Sequence, residues 1–494
     1  MGQLTDLPDE LLHDVLSLLP AVDLVSISAT CRTLYRQSRD EKLWQRLVNA
    51  NIPNKITKPG IFHTFKDLYS AHHPYWFLPR NKIWFSDDES TGTLIISRYD
   101  NRRGVVEAFR LVAELNEEIA VPWQSHPDVE IQPFNPRLRL WLDDPIIELR
   151  NPDRLPLRDR QYARDQFKMT MANRTARVCS SFFLCRGSLG TSPRIRNDFL
   201  WPPVTIPGER SVRKRHDFLA DETSNTFQNI QKFRKNPNKI SETSFYLLKW
   251  PHFGLGQPVI PRHRINQTWI FSTLDPALYT PTKDKPFQGI WVGDYNFHKC
   301  EFLLFLQRDG GEPAPLTNNA RRHLRAMLGG ARIFEETPYD FINDQDEAVT
   351  AEEEEEEEEE VVLLNGRFED AFERASPPDS LASNEVDEYN GVRFQGRLEG
   401  IKLTGDPNIP RGEISFVAED IGPKGLLGVS QDEEFRGVRV VKSKGHIAFE
   451  HYTDDQWVNT QLFLISPDYV AQYWEPMNHI SFFRRVNIDE FTKV

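Results

Sequence analysis

The sequence contains little cysteine. Its 494 residues include four cysteines, at positions 31, 179, 185 and 300. So small and scattered a set gives no disulfide framework, and it is typical of proteins kept in a reducing compartment. The spacing between Cys179 and Cys185 does not match that of a zinc site, and no second cysteine pair accompanies it. We therefore expect no structural metal and no cofactor.

Long apolar runs are also missing. Runs such as residues 302–306 are far shorter than the roughly 20 apolar residues that a membrane-spanning helix needs. The N-terminus lacks the basic and apolar segments of a secretory signal peptide. We therefore expect the protein to be cytoplasmic, nuclear or both, with no membrane partner.

The common catalytic motifs are absent as well. The sequence has no Walker loop, no Gly-x-Ser-x-Gly elbow and no His-Glu-x-x-His helix. His446 and His451 are five residues apart, so on a strand they would face opposite sides and would not bind one metal together. We therefore predict that the chain is not an enzyme, and we keep a barrel that binds a metal or a small molecule as the alternative class.

Acidic residues are concentrated in one segment. Residues 333–360 hold fifteen acidic residues and no lysine or arginine, and nine of them are the consecutive glutamates 352–360. Without them the formal net charge of −13 becomes nearly neutral, so composition indicates no nucleic-acid partner. A charge run of this kind predicts a disordered acidic insertion over 335–388. Basic residues between 150 and 240 direct nuclear import or bind an acidic partner, or else they form a solvated face that balances this tract.

Residues 7–47 predict a bundle of short helices. The first helix carries two adjacent apolar rows, Leu11, Val15 and Leu18 in one and Leu12, Leu16 and Leu19 in the other. An amphipathic helix needs one row to face its own core. The second row should therefore dock on a partner, unless residues 48–80 of the same chain cover it.

Four sequence strings in this region resemble the F-box in order and spacing. They are Leu-Pro-x-Glu-Leu-Leu from Leu7, Asp-Leu from Asp23, Thr-Cys-Arg-x-Leu-Tyr from Thr30, and Leu-Trp from Leu43. The resemblance implies a helical module that binds the Skp adaptor of a Skp–cullin–F-box ubiquitin ligase, and the cullin through it. The implied adaptor-binding residues are Leu7, Pro8, Glu10, Leu11, Leu12, Val15, Leu16, Leu24, Ile27, Leu43 and Trp44.

From residue 83 the apolar pattern changes from helical to alternating. Segments 83–85, 93–96 and 105–111 are examples of short strands separated by turn residues, which favours a barrel or a sandwich. We predict an α+β fold with a small helical F-box bundle before a mainly antiparallel, β-barrel-like substrate domain. The predicted parts are the F-box (1–48), a helical linker (49–82), the first part of the β domain (83–334), the insertion (335–388) and the remainder of the β domain (389–494).

A second resemblance lies within residues 285–475. The strings Phe-Gln-Gly-Ile-Trp-Val-Gly-Asp-Tyr from Phe287, Lys-Leu-Thr-Gly-Asp-Pro-Asn-Ile-Pro from Lys402 and Gly-His-x-Ala-Phe from Gly445 resemble the F-box only protein 31 family. That family implies a β-barrel-like receptor that binds protein substrates for ubiquitination and reads their C-terminal tails. This chain departs from the family because its acidic insertion precedes the Gly-Asp-Pro turn and because it has no Cys/His cluster for structural zinc.

The Asp-Pro-Asn sequence at Asp406 predicts a turn at the barrel rim, where a rigid sheet can position binding residues. A buried carboxylate there would accept hydrogen bonds from a chain end and would repel a free C-terminal carboxylate, which favours an amide-like terminus. The alternative is that Asp406 only caps its own turn. The family resemblance places Tyr295, His298, Thr404 and His446 around the same mouth.

Together these patterns predict the substrate-recognition subunit of a Skp–cullin–F-box E3 ubiquitin ligase, a receptor without catalytic residues of its own. Its predicted partners are the Skp adaptor, the cullin and a protein substrate held by its tail. An F-box scaffold that acts outside the ligase is the alternative within the same family.

Overall fold

The N-terminal module is a bundle of short helices. The computed structural model describes residues 4, 7–87, 92–115, 120–150, 178–186, 240–251, 267–295, 300–309, 388–389, 391–450 and 452–494. Pro8 immediately precedes the first helix, and the Asp40 carboxylate caps the fourth by accepting a hydrogen bond from the Lys42 amide at 2.8 Å. The helices are α1 (Asp9–Ser17), α2 (Ala21–Ser28), α3 (Arg32–Gln37) and α4 (Glu41–Asn49).

Two further helices connect this bundle to the β domain. Helix α5 (Phe65–His72) packs against α4, and α6 (Phe77–Asn81) packs against the first sheet. The Trp44 and Tyr69 rings meet edge to face with their centroids 5.6 Å apart. Since buried residues from α1 through the first sheet form one continuous cluster, the helices and this sheet share a single hydrophobic core.

The first sheet is antiparallel, with the strand order β6-β3-β2-β1-β10-β9-β8, and β7 pairs with β3 beside β6. Alternation divides its side chains between two covered faces. Trp84 and Ile95 face the helices, whereas Ile83 and Phe85 face the outside of the barrel described next. The strands are β1 (Ile83–Asp87), β2 (Gly92–Asp100), β3 (Val105–Glu114), β6 (Arg137–Leu140), β7 (Ile147–Arg150), β8 (Val178–Arg186), β9 (Ile240–Pro251) and β10 (Gln267–Ser272). A separate hairpin joins β4 (Val121–Trp123) and β5 (His126–Ile131).

Within the described residues, eight antiparallel strands close into a barrel with the order β16-β15-β12-β11-β21-β20-β19-β18. Pairing of Phe416 with Gly445 and of Val417 with Lys444 joins the last strand to the first. The barrel strands are β11 (Gly289–Asp294), β12 (Cys300–Arg308), β15 (Arg397–Lys402), β16 (Ile414–Ala418), β18 (Arg439–Phe449), β19 (Thr453–Ser466), β20 (Tyr469–Trp474) and β21 (His479–Arg485). Short strand β17 (Leu426–Val429) also pairs with β18, and β13 (Glu388–Tyr389) pairs with β14 (Val392–Arg393).

Aromatic rings fill the barrel interior. Trp291 and Phe305 stack with their centroids 4.4 Å apart and pack in one cluster with Phe416 and Phe483. The rings fit because glycine occupies an inward position on a neighbouring strand: a Cβ on Gly400 would lie 2.2 Å from the Phe416 ring. Small residues next to large ones are how a narrow barrel is packed.

The C-terminus ties the helical linker to the β domain. Helix α7 (Pro276–Tyr279) precedes the barrel, and α8 (Ile488–Phe491) follows its last strand. Lys82, between α6 and β1, forms a 2.7 Å ion pair with Asp489, and the Asn54 amide donates to the Thr492 carbonyl at 2.8 Å. These contacts join the helical linker to the last residues of the chain.

The predicted fold class, helical module first and antiparallel barrel second, is confirmed. The predicted domain boundaries make residues 83–334 one part of the substrate domain. The structure divides the described residues of that range between the first sheet and the barrel. Residues 335–387 of the predicted insertion lie outside the described residues, and Glu388 belongs to β13. None of the described helices is long and apolar enough to cross a membrane.

Candidate functional site

Exposed apolar side chains are concentrated at the N-terminus. Half of the large hydrophobic residues that are exposed in the described part of the chain lie within the first 35 residues. They are Leu4, Leu7, Leu11, Val15, Leu18, Val22, Val25 and Tyr35. A surface of this kind on so small a module is typical of a protein-binding interface.

The two apolar rows of α1 have different environments. In one row Leu11 is 52% exposed, Val15 is 40% exposed and Leu18 is 79% exposed. In the other row Leu12 and Leu16 are completely buried. Residues 48–80 do not cover the first row, because α5 packs against α4 and α6 packs against the first sheet. The exposed row is therefore open to a partner.

The predicted adaptor-binding residues divide between this surface and the core beneath it. Leu7, Pro8, Glu10, Leu11 and Val15 are exposed, and Ile27 is half-buried. The remaining predicted residues are buried in the bundle, where their side chains form its core beneath this surface, and their contact with an adaptor stays a prediction. These are Leu12, Leu16, Leu24, Leu43 and Trp44.

A second candidate site lies at one end of the barrel lumen, which we call the barrel mouth. It is formed where β11 ends, β12 begins and residues 403–413 connect β15 to β16. The side chains of Tyr295, Glu301 and Lys402 take inward positions at this end of the barrel. This follows from strand alternation, because the interior residues Trp291 and Leu303 occupy the same face. The mouth therefore carries a lysine and a carboxyl group inside the barrel.

Lys402 is the central charge of the mouth. Its side chain is 1% exposed, and its Nζ atom donates hydrogen bonds to Asp406 Oδ2 and, at 3.2 Å, to Glu301 Oε1. Nζ also lies 4.1 Å from the centroid of the Tyr295 ring, at cation–π distance. A buried ammonium needs such partners, because isolation in an apolar interior would cost several kcal/mol.

Both carboxylate oxygens of Asp406 are engaged within the chain. Oδ1 accepts hydrogen bonds from the Asn408 amide at 2.7 Å and the Ile409 amide at 2.6 Å, which is the capping of its own turn. Oδ2 accepts from Lys402. Burial raises the pKa of Asp406, but the Lys402 charge and the hydrogen bonds from Glu301, Lys402 and the Ile409 amide together hold it below its usual value. Asp406 is therefore ionised at neutral pH.

The pKa of Glu301 is shifted in the opposite direction. Burial raises its pKa to about 8 against the lowering effect of Lys402, and the nearby Asp406 raises it further. Its Oε2 atom is buried and receives no hydrogen bond of good geometry, although Lys402 Nζ lies 3.0 Å away. A proton on Glu301 resolves this, because the acid then donates a hydrogen bond to Asp406. Of the two carboxyl groups around Lys402, Asp406 is therefore the stronger acid and Glu301 is the one that holds a proton more tightly.

The structure brings Tyr295 and Thr404 to this cluster. The Tyr295 hydroxyl lies 2.6 Å from the Ser415 hydroxyl, and burial raises the pKa of Tyr295 well above its usual value. Thr404 Oγ1 accepts a hydrogen bond from the Phe302 amide at 2.9 Å, next to Glu301. Three of the five predicted substrate-binding residues, Tyr295, Thr404 and Asp406, thus lie at one end of the barrel.

His446 lies near the mouth but on the outer side of the barrel wall. Its neighbours Ser443 and Gly445 take the inward-facing positions of β18, so alternation turns His446 outward. Its ring stacks on Trp457 with the centroids 4.5 Å apart, and its nitrogens bond to the Ile414 carbonyl at 3.0 Å and to Asp455 Oδ2 at 3.1 Å. His298 and His451 lie outside the described residues.

Two members of the cluster, Glu301 and Lys402, are not among the predicted site residues. A signal for Lys402 is present in the sequence, because strand alternation from Leu398 through Gly400 points a lysine into an otherwise apolar barrel. Such a charge needs a buried counter-ion. Glu301 gives no comparable local signal, since it lies 101 residues from Lys402 in the chain.

The chemistry available at the mouth is hydrogen bonding and charge pairing. In the described part of the chain, no group of three or more His, Cys, Asp or Glu side chains is placed to hold a metal ion. The polar atoms of Asp406 and Tyr295 are hydrogen-bonded within the chain, to Lys402, to the turn amides and to Ser415.

Comparisons with known proteins agree with the division of the chain into an N-terminal helical bundle and a C-terminal barrel. Residues 4–50 match the F-box-like family model, and residues 271–490 match the model described as cyclin D1 binding domain. The first span contains α1–α4, and the second contains the barrel and all of α8 except Phe491. Protein EXECUTER 1, chloroplastic, from Arabidopsis thaliana is 30% identical over 110 residues, which are 20% of this chain and 16% of that protein. The matches identify an F-box-like domain at the N-terminus, which indicates an F-box protein, and a C-terminal barrel similar to the cyclin D1 binding domain.

Proposed function

We propose that this protein is the substrate-recognition subunit of a Skp–cullin–F-box E3 ubiquitin ligase. The F-box-like domain supports the general role of substrate adaptor in such a complex. The observation that carries the proposal is the exposed row Leu11, Val15 and Leu18, which no other part of the described chain covers. Burying each of these side chains against an adaptor would contribute roughly 1–2 kcal/mol.

The adaptor proposal is tested by replacing Leu7 and Pro8 with Ala in the full-length chain. Both residues are exposed beside α1, so we expect the fold to survive while capture of recombinant Skp adaptor is lost. Leu427→Ala is the matched control, because Leu427 is similarly exposed on β17, away from the F-box-like domain. Undiminished capture by the Leu7/Pro8 variant would refute the proposal.

We further propose that the barrel mouth binds the tail of a protein substrate. The matching family is described as binding cyclin D1, so a protein ligand at this domain is consistent with the comparison. The mouth supports this with polar side chains at the end of a rigid barrel, those of Asp406, Tyr295 and Thr404, which a ligand would reach by sharing or exchanging their internal hydrogen bonds. The negative charge of Asp406 disfavours a terminal carboxylate and favours a neutral, amide-like end.

Binding of matched synthetic peptides tests the substrate site. Peptides of one sequence that end in a primary amide or in a carboxylate should bind with different affinities, the amide more tightly. A ubiquitination assay with adaptor and cullin then separates a ligase receptor from a scaffold that acts outside the ligase. A protein that captures the adaptor but never supports ubiquitin transfer to a bound substrate would be the scaffold.

A further inference from the structure

Lys402 has more carboxyl groups within reach than its single charge requires. Lys402 is one buried cation, and two carboxyl groups, from Glu301 and Asp406, lie within hydrogen-bonding distance of its Nζ atom. Either carboxyl alone would neutralise it. A buried acid that is not needed for charge balance costs desolvation energy, so its presence calls for a physical explanation.

We propose that Glu301, Lys402 and Asp406 form a counter-ion switch in which Lys402 pairs with either carboxyl, so that Glu301 can release Asp406 to a bound chain end. Glu301 is a positioning residue in this scheme, since it acts on the ligand through Lys402 and Asp406. The ligand part of the inference rests on the proposed substrate site. The exchange of counter-ions is a property of the free protein.

The geometry permits the exchange without a backbone movement. Nζ of Lys402 already lies 3.2 Å from Glu301 Oε1 and 3.0 Å from Oε2, so it can give up Asp406 Oδ2 and keep a carboxyl partner. Asp406 keeps its place as well, because the Asn408 and Ile409 amides hold its other oxygen, Oδ1. The oxygen that becomes free is therefore a positioned acceptor.

The proton balance follows from the two states. The proposed free state has Asp406 ionised and the proton on Glu301, which agrees with the lowered pKa of Asp406 and the raised pKa of Glu301. When a ligand N–H group takes Asp406 Oδ2, Glu301 loses its proton to solvent and becomes the counter-ion of Lys402. Tyr295 on β11 lies beside Glu301 inside the barrel, and Cys300 is its neighbour on β12 but lies on the outer face; burial raises the pKa of both, so they stay neutral. Two more charged residues, Arg411 and Glu413, are buried in the connection between β15 and β16. Binding of a neutral N–H donor therefore releases one proton.

The switch also defines the class of ligand. After the exchange the cluster holds two carboxylates and one ammonium, so a group that brings N–H donors stabilises it and a carboxylate destabilises it. A primary amide at a chain end has two N–H donors and no charge, which meets the requirement.

Infrared spectroscopy of the unliganded full-length protein tests the coupled protonation that the exchange requires. A protonated buried carboxyl group gives a C=O stretching band apart from that of carboxylates, and we expect this band in wild type at pH 7 and its loss in Glu301→Gln. Asp406→Asn should also lose the band, because Glu301 then ionises to pair with Lys402. Persistence of the band in Asp406→Asn would overturn the inference.

Lys402→Met provides a second variant in case Asp406→Asn folds poorly. Removing the ammonium takes away the main group that lowers the pKa of Glu301, so the band should persist to a higher pH than in wild type. An unchanged titration of the band would count against the switch.

The ligand part is tested by calorimetry with the amide-terminated and carboxylate-terminated peptides in buffers of different ionisation enthalpy. We expect release of about one proton on binding of the amide peptide to wild type, and none with Glu301→Gln, whose affinity should fall at least about tenfold. Binding without proton release would overturn the coupling. Expected infrared behaviour with no peptide binding would support the switch and refute the proposed substrate site instead.

Discussion

Leu11 and Leu12 are neighbours in α1 with opposite environments: Leu11 is 52% exposed, whereas Leu12 is completely buried. The two leucines belong to different apolar rows of the same helix, one facing solvent and one facing the bundle core. Substitutions at these two positions can therefore test the stability of the F-box-like domain and its proposed binding to the adaptor separately.

Replacing each leucine with alanine should give opposite phenotypes. Leu11→Ala is expected to weaken adaptor capture by about tenfold or more and to change the free energy of unfolding by less than about 0.5 kcal/mol. Leu12→Ala is expected to cost about 2–5 kcal/mol of stability, because it opens a cavity in the core. Chemical unfolding measures the stability of each variant, and a titration with recombinant adaptor measures its binding. The assignment would be contradicted if, in both variants, adaptor binding fell in the same proportion to the lost stability.

The protonation of Glu301 predicts how stability depends on pH. Its pKa is raised from 4.5 to about 8 in the folded protein, so its contribution to stability is fully present below pH 4.5 and is lost as the pH rises through 8. Wild type should therefore lose stability between pH 5 and pH 8 by a few kcal/mol more than Glu301→Gln does. Urea unfolding of both proteins at the two pH values tests this, and parallel changes would show that Glu301 is ionised throughout.

The two carboxyl groups around Lys402 should be strongly non-additive. Glu301→Gln alone replaces a neutral acid by a neutral amide, and Asp406→Asn alone leaves Glu301 to ionise, so each should cost little at pH 7. The double variant leaves Lys402 buried without a counter-ion and should lose about 3–5 kcal/mol. Adding Lys402→Met to the double variant should recover much of this loss, whereas simple additivity would indicate two independent carboxyl groups.

His72 predicts a second, opposite pH effect in the helical linker. It is buried against Trp76, Tyr99 and Phe62, and burial lowers its pKa from 6.5 to about 4. Its contribution to stability is therefore present above pH 6.5 and is lost as the pH falls toward 4, by up to about 3 kcal/mol. His72→Phe should be less sensitive to acid than wild type in thermal unfolding between pH 7 and pH 4.5. His63→Gln, at an exposed position, should follow wild type.

Packing inside the barrel predicts a position-specific effect of glycine substitution. Gly400→Ala places a methyl group 2.2 Å from the Phe416 ring, so rings must shift at a cost of about 1–3 kcal/mol. Gly428→Ala on β17 has no atom within 4 Å and is the matched control. Melting temperatures of the two variants should differ by several degrees, with Gly400→Ala the lower, and the reverse order would mean that the interior is loosely packed.

The parts of the fold that the sequence predicts well depend on short-range patterns. The two rows of α1 follow from leucine and valine spacing within eight residues, and the cap at Asp40 follows from its position before α4. The closure of the barrel does not follow, because the pairing of Phe416 with Gly445 joins distant strands and leaves no periodic signal. For the same reason the sequence does not separate the first sheet from the barrel.

The candidate site, too, is predicted from the sequence only where short-range patterns determine it. Turn composition locates Asp406, and its hydrogen bonds to the Asn408 and Ile409 amides are of the kind that an Asp-Pro-Asn turn predicts. Its pairing with Lys402 and the protonation of Glu301 depend on strand register and burial, which are settled when β12 and β15 pair. His446 faces outward for a similar reason, since its position along β18 determines its side of the wall.

The continuous aromatic core from Trp44 through Tyr69 and Trp76 to the first sheet has a consequence for how substrates would be chosen. Under the proposed function, a receptor whose adaptor surface and barrel belong to one packed body cannot lengthen or shorten its reach. The substrate must then supply the span itself, so the number of residues between its bound tail and its nearest accessible lysine would decide whether ubiquitin is transferred. Substrates with the same tail and different spacers would behave as different substrates.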